Sequence, residues 1–116
     1  MKFMLTLVSD PALEPDPSSP EFEAYMGEWF AYGEALDAAG VEHTGEALQG
    51  VETATTVRVR DGQRIVTDGP FIESKEVVGG YYVLDVADLD AALGWAAKIP
   101  NIHFGTVEVR PIMSFD

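Results

Sequence analysis

Two histidines are the side chains whose ordinary titration falls near neutral pH, and each is a candidate acid or base. His43 and His103 would fill that role if a carboxylate lay beside the imidazole. The alternative for both is a hydrogen-bonded structural histidine. No metal-ligand spacing surrounds them and the sequence has no cysteine, so we predict no metal site.

Asp68 is the second candidate for catalysis, together with His43. It stands directly before Gly69 and Pro70. An aspartate in that position could act as a general base or anchor a ligand, or its side chain could simply close an Asx-type turn. The sequence leaves both interpretations open, since the first requires a raised pKa or a neighbouring donor.

Four further residues are candidate ligand contacts. Glu73 and Lys75 lie two positions apart, so in an extended segment they point the same way and could orient a polar ligand or neutralise each other. Arg110 could clamp a carboxylate with two hydrogen bonds, or pair with one of the many acids. Tyr81 points opposite to Tyr82, and we expect it to face a cavity or a partner chain.

The composition excludes whole classes of function. The 116 residues are 47% hydrophobic, which fits a single domain, 1–116, with its own core. The net charge of −13 repels phosphate backbones and anionic lipid, so we expect neither nucleic-acid binding nor membrane docking. No Gly-rich phosphate loop is present, and we predict no cofactor. The lack of cysteine and of a signal or spanning segment favours a cytoplasmic location.

Hydrophobic patterning in the first part of the chain predicts a strand and a helix. The apolar run 2–8 predicts a strand buried on both faces. After an acidic, proline-rich loop, Ser19 is a typical N-cap because Pro20 then occupies the first helical position. The helix ends at Gly40. Its apolar face is formed by Phe22, Tyr25, Met26, Trp29, Gly33 and Leu36.

The rest of the chain predicts a hairpin, a long strand and a second helix. The predicted strands are 41–48, 54–60, 63–67, 77–86 and 106–112. The second of these alternates as a half-buried strand, and Asp61-Gly62 turns it back in a type I′ hairpin. Gly79-Gly80 indicates a bulge, and Asp88 caps the helix. We expect its core face to consist of Leu89, Ala92, Leu93, Ala96 and Ile99.

This order of elements is a split βαβ plan. We predict an α+β, ferredoxin-like domain with two helices on one face of a mainly antiparallel sheet and an inserted β-hairpin. Two helices cover only one face of such a sheet. Because the other face carries apolar residues too, we expect a second copy of the chain to cover it in a homodimer.

One segment is specific enough to suggest a family. It is Thr67-Asp68-Gly69-Pro70-Phe71, followed by Glu73, Lys75-Glu76 and Gly79-Gly80-Tyr81-Tyr82, and it resembles the DGPF branch of the YCII-related proteins. Further matching segments are Met1-Lys2-Phe3-Met4-Leu5, Gly45-Glu46-Ala47-Leu48, Thr53-Ala54-Thr55-Thr56-Val57-Arg58 and Val107-Glu108-Val109-Arg110-Pro111-Ile112. The resemblance therefore covers nearly the whole chain. It implies a ferredoxin-like subunit that dimerises into an α+β barrel, and no settled reaction.

The resemblance also concerns a possible active site. In the wider family a His and an Asp are taken as the active pair, with the His on the first helix. This chain has no His between Ser19 and Gly40, so that pair cannot be carried over. Some members are associated with alternative sigma factors in bacteria, which suggests a regulatory setting.

Two functions remain open at this point. The first is an enzyme or binding protein for a small molecule in a cleft of the dimeric barrel, with Asp68, His43 and an arginine as polar contacts. The second is a noncatalytic interaction or regulatory module, linked to sigma-factor-dependent transcription, that uses the acidic loop 10–21 and the open sheet as recognition surfaces. The sequence does not decide whether the protein is an enzyme.

Overall fold

The computed structural model describes residues 1–115. The six strands are β1 (Lys2–Ser9), β2 (Glu42–Ala47), β3 (Thr55–Arg60), β4 (Gln63–Asp68), β5 (Val77–Asp85) and β6 (Thr106–Pro111). The two α-helices are α1 (Glu21–Ala38) and α2 (Leu89–Ala96). Neither they nor any other helix in the described residues is long and apolar enough to cross a membrane.

Four strands form the main sheet in the order β2-β5-β1-β6, with every neighbouring pair antiparallel. The two helices connect these strands as the split βαβ plan requires, so the predicted α+β architecture is confirmed. β3 and β4 form a separate two-stranded sheet. They lie between β2 and β5 in the sequence, although β2 and β5 are direct neighbours in the main sheet.

The core lies between the sheet and the helices. Phe3, Leu5 and Leu7 point from β1 toward the helices and are buried, because side chains alternate along a strand. The residues that complete the core are Tyr32, Leu36, Leu84, Ala92, Ala96 and Ile99. The prediction that β1 is buried on both faces was wrong: Met4 is 36% exposed on the other side. The reason is that both helices lie on one face, and a single chain leaves the second face open.

Both predicted helices are present, but one detail of each prediction was wrong. Ser19 does not cap α1; its hydroxyl is buried without a hydrogen-bond partner, and Pro20 occupies the N-cap position. Asp88 does cap α2, since its carboxylate accepts from the Ala91 N–H at 2.9 Å. Leu89 and Leu93 were expected in the core, yet both are roughly half exposed because Ala92 and Ala96 form the buried stripe of α2.

The inserted hairpin, which we call the arm (Thr55–Asp68), projects from the sheet. Asp61 and Gly62 have φ of 52° and 75°, so the predicted type I′ turn is confirmed. The predicted half-burial of 54–60 was wrong: Val57 and Val59 are 58% and 60% exposed. The cause is that the arm pairs with no strand of the main sheet within the part of the chain that the structure describes.

The predicted bulge lies at the junction of β1 and β5. Leu7 pairs with Gly80 and Val8 pairs with Val78, so Gly79 is the extra residue. A Cβ on Gly80 would lie 2.7 Å from the Glu46 carbonyl oxygen, which explains why glycine is needed there. The bulge therefore lies beside a close approach of β2 to β5.

Candidate functional site

The sheet face that the helices do not cover carries two of the four ligand candidates, Tyr81 and Arg110. Since Phe3, Leu5 and Leu7 point to the helices, the residues between them point away, and the strand registers extend this assignment to the neighbours. We call this surface the open face. It carries Lys2, Met4, Thr6, Val8, Glu42, Thr44, Glu46, Tyr81, Val83, Asp85, Thr106, Glu108 and Arg110.

Four polar side chains, one from each strand, form a row across the open face. Thr6 pairs with Tyr81 on one side and with Glu108 on the other, and Tyr81 pairs in turn with Glu46. Adjacent strands are spaced about 4.8 Å apart, so the row spans roughly 14 Å. This polar row offers two hydroxyls as donors and acceptors between two carboxylates.

Arg110 stands one pair further along β6. Its neighbour on β1 is Met4, and its guanidinium Nη1 lies 3.8 Å from Glu108 Oε1. Both side chains are exposed, so this ion pair adds little to stability. Its guanidinium therefore remains available for an incoming carboxylate or carbonyl oxygen.

A second polar site lies at the carboxyl end of β1. Asp10 is buried and accepts a hydrogen bond from the Ala12 N–H at 2.9 Å, and its other oxygen lies 3.7 Å from Lys75 Nζ. Lys75 itself is largely exposed, and Glu73 lies exposed in the same loop. The structure thus pairs Lys75 with Asp10, a residue that sequence reasoning had not selected, and leaves Glu73 outside the polar row.

His43 has the carboxylate neighbour that an acid–base role requires. Its Nε2 lies 2.8 Å from Asp37 Oδ1, an atom in the last turn of α1. The register pairs His43 with Leu84, a core residue, so the imidazole lies on the helix side of the sheet. The pair can orient the imidazole for proton transfer, or it can simply tie β2 to α1. In either case it is separated by the sheet from the polar row.

The Asp37 contact was missed because it depends on a chain reversal. Gly40, with φ of +71°, ends α1 and lets the chain turn directly into β2. Two residues six positions apart are thereby brought into contact. The sequence did indicate the turn, since it predicted that the helix stops at Gly40. Which side chains face each other across the turn depends on the angle between α1 and β2, and the sequence does not give that angle.

Asp68 and His103 lie elsewhere. Asp68 is the exposed last residue of β4, paired with Thr55 at the base of the arm. His103 lines an open groove of about 340 Å³ between α1 and the chain after α2. In that groove the Lys98 ammonium lies 4.8 Å from the Trp95 ring centroid. The structure therefore does not bring Asp68, His43 and Arg110 together.

The remaining tyrosines belong to the core rather than to chemistry. Tyr32 donates to the Trp95 carbonyl at 3.0 Å, and Tyr82 stacks on Trp29 with centroids 6.4 Å apart. Burial raises the pKa of both Tyr32 and Tyr82, so their hydroxyls stay protonated at neutral pH.

Among residues 1–115, no three His, Asp or Glu side chains cluster closely enough to hold a metal ion.

Comparison with known proteins identifies the family of this chain. The family model described as the YCII-related domain matches residues 1–116. The chain belongs to the YCII-related family. The predicted family is thereby confirmed, while assignment to its DGPF branch stays a prediction.

Two known proteins are similar to this YCII-related chain, one in sequence and one in structure. An uncharacterised protein of Rhizobium meliloti (strain 1021) is 33% identical over 114 residues, covering 97% of this chain and 92% of its own length. The 5-chloro-2-hydroxyhydroquinone dehydrochlorinase TftG of Burkholderia phenoliruptrix AC1100, solved in complex with 2,5-dihydroxybenzoquinone, matches with a TM-score of 0.52 and 11% identity. That match covers 97% of this chain and 94% of TftG. At such low identity the likeness concerns the fold alone.

Proposed function

We propose that this YCII-related protein binds and transforms a small polar molecule on the open face of its sheet, in a cleft closed by a second copy of the chain. The observation that carries the proposal is the polar row, in which Glu46, Tyr81, Thr6 and Glu108 come from four different strands to one uncovered surface. Ligand sites typically combine a few converging polar groups with apolar walls. Met4 and Val83 supply apolar surface directly beside the row.

The roles follow from the donors and acceptors. Tyr81 and Thr6 donate hydrogen bonds to ligand oxygens, and Arg110 adds a charged, planar donor at one end. Glu46 or Glu108 accepts a proton from the ligand. Covering the face with a second copy would exclude water, which strengthens each of these interactions.

The fold neighbour supplies a defined probe for this proposal. TftG is described with 2,5-dihydroxybenzoquinone, a single ring that carries four oxygen atoms. A planar, oxygenated ring of that kind matches the hydroxyl and guanidinium donors of Thr6, Tyr81 and Arg110. Its diameter is also well within the roughly 14 Å span of the row.

The test has two stages. Native mass spectrometry of the protein purified from its own host should give a dimer that retains an additional small mass. Calorimetric titration with 2,5-dihydroxybenzoquinone then gives the affinity for a defined probe. We expect Arg110→Gln to weaken probe binding about 10- to 100-fold and Tyr81→Phe about 3- to 10-fold, which are the usual effects of losing a charged and a neutral hydrogen bond.

The matched control is Lys98→Gln, which also removes one positive charge but lies in the helix layer beside Trp95. It should bind the probe as the wild type does. A clean dimer without retained mass that gives no heat with the probe would contradict the proposal. Equal weakening by Lys98→Gln would contradict the assignment of the site to the open face.

The interaction module is the second candidate, and the exposed arm is the observation that favours it. Val57, Val59 and Val66 are apolar side chains that the chain leaves in water. Under this alternative, the arm would bind an unrelated protein, and substitutions on the open face would have no effect on that binding.

A further inference from the structure

A single chain exposes more surface than a compact protein of its mass. Its accessible surface is 8313 Å² for 12.6 kDa, whereas a compact monomer of that mass exposes about 6,200 Å². Its radius of gyration is 16.4 Å, whereas a compact domain of this length has about 13 Å. The surplus of roughly 2,100 Å² exceeds the 800 Å² or so that each partner contributes to a standard interface.

The arm is largely exposed, and no other element packs on one of its faces within residues 1–115. Val57 pairs with Val66, and Val59 pairs with Arg64, so the three valines lie on the same face of the hairpin. They are 54% to 60% exposed. We call this surface the valine face. On the opposite face the Arg58 guanidinium lies 5.6 Å from the Phe71 ring centroid, so the following loop touches that side.

An unsupported hairpin of this kind needs a partner. Two-stranded ribbons are marginally stable in water unless they pack on something else. The arm's apolar side chains are β-branched and would be buried in an ordinary sheet. The valine face would therefore gain stability from burial against another surface.

The charge distribution identifies the partner. The arm carries three arginines and two aspartates, whereas the rest of the chain carries four of the seven basic residues and eighteen of the twenty acidic ones. A weakly basic, apolar arm thus belongs to a strongly acidic body. The surface that complements the arm is the body of the same protein, and a two-fold pair of chains would satisfy both arms at once.

We infer that each arm packs its valine face against the body of a second copy, so that two chains exchange arms. The inference rests on the proposed pairing of two chains and adds a contact that closing the open face does not require. Arg64, near the tip of the valine face, meets the acidic surface of the partner, whereas Asp68 lies on the same face at the base of the arm.

The experiment is sedimentation equilibrium on the full chain over a range of concentrations. We expect a dimer for the wild type and at least a 100-fold higher dimer dissociation constant for the double variant Val57→Asp/Val66→Asp. The matched control is Phe30→Asp/Leu89→Asp, which places the same two charges at exposed apolar positions of the helix layer. It should dimerise as the wild type does, and circular dichroism should show that both variants fold.

A second pair of variants tests the charge argument. Arg64→Glu and Lys98→Glu change the net charge of the chain equally, so general repulsion between two acidic chains affects both alike. Arg64→Glu should raise the dissociation constant at least tenfold more than Lys98→Glu. Equal effects would remove the argument that the arm recognises the acidic body.

The possible results distinguish a failure of the arm exchange from a failure of the proposed ligand site. A monomeric wild type, or a Val57→Asp/Val66→Asp variant that dimerises normally, would overturn the arm exchange. If Val83→Arg on the open face separates the chains while the arm variant stays dimeric, the sheets pair without the arms. If the arm variant becomes monomeric, the exchange is supported, and whether this monomer still binds the quinone probe reports separately on the cleft.

Discussion

Strand β1 in the body of the molecule and strand β3 in the arm both carry apolar side chains on one face, but only β1 buries them. In β1, Phe3, Leu5 and Leu7 are buried beneath two helices, whereas Val57 and Val59, which alternate with polar residues in β3, remain exposed. Alternation shows that a strand has two different faces. Whether anything covers the apolar face is decided by the topology, and for the arm no element within residues 1–115 does so.

The largest expected difference between the two regions is in stability. Leu5→Ala should lower the free energy of unfolding by about 2 to 5 kcal/mol, because it leaves a cavity in a fully buried site. Val59→Ala on the arm should lower it far less at low protein concentration. Urea denaturation at several protein concentrations measures both. The two regions would not differ as described if Val59→Ala were as damaging as Leu5→Ala in the dilute sample.

Varying the protein concentration gives a second test of the difference between the body and the arm. The effect of Leu5→Ala should be nearly independent of concentration, since the side chain is buried within one chain. The effect of Val59→Ala should grow as the protein is concentrated, because stabilisation by a partner follows mass action. A flat concentration dependence for Val59→Ala would argue against a partner for the arm.

Two adjacent glycines offer the next largest effect. Gly80→Ala should cost about 1 to 3 kcal/mol, because its Cβ would meet the Glu46 carbonyl oxygen at 2.7 Å and would force apart β2 and β5. Gly79→Ala is the control, since no atom lies within 4 Å of the added Cβ. Thermal unfolding of the two variants measures the difference, and equal melting temperatures would contradict it.

A smaller effect depends on pH. Burial raises the pKa of Tyr32, so the unfolded chain ionises this hydroxyl near pH 10 while the folded chain keeps it neutral. Wild-type stability is therefore lost as the pH rises above about 10. Tyr32→Phe should cost about 1 kcal/mol at pH 7, through the lost bond to the Trp95 carbonyl.

The difference between wild type and Tyr32→Phe should then narrow above pH 10, since phenylalanine has no proton to lose. Urea denaturation at pH 7, 9 and 11 measures this trend. A constant difference across that range would show that Tyr32 ionises equally readily in both states. Tyr82, whose pKa is also raised by burial, contributes to the loss in both proteins.

The smallest effect is expected on the open face. Arg110→Gln should change the free energy of unfolding by less than about 0.5 kcal/mol, because its ion pair with Glu108 is exposed. The same variant is expected to lose probe affinity. Loss of stability comparable to that of the core variant would identify Arg110 as a structural residue instead.

The fold was predictable where local chemistry determines it. The Asp61-Gly62 turn and the Asp88 cap each depend on residues close in sequence, and both were confirmed. Ser19 fitted the capping pattern as well, but its hydroxyl makes no hydrogen bond to the helix N–H groups. Leu89 and Leu93 were placed in the core because periodicity defines a face and not its width.

The candidate site was predictable only in fragments. Tyr81 and Arg110 could be selected from their alternation in predicted strands, and they lie on the open face. Thr6 and Glu46 could not, since nothing local distinguishes them from other polar residues. They gain meaning only from the register of strands far apart in sequence. Register depends on pairing between distant strands, so the pattern of one strand alone does not show which residues face each other.

The position of the arm in the chain has a consequence for how such proteins can vary. β2 and β5 are antiparallel neighbours, so everything from residue 48 to residue 76 is one long hairpin connection. Lengthening a flexible connection costs only about 0.6 kcal/mol for each doubling of its length. The arm can therefore be shortened, extended or replaced without altering the registers of the four-stranded sheet. Partner choice and the sheet's chemistry can thus change independently of each other.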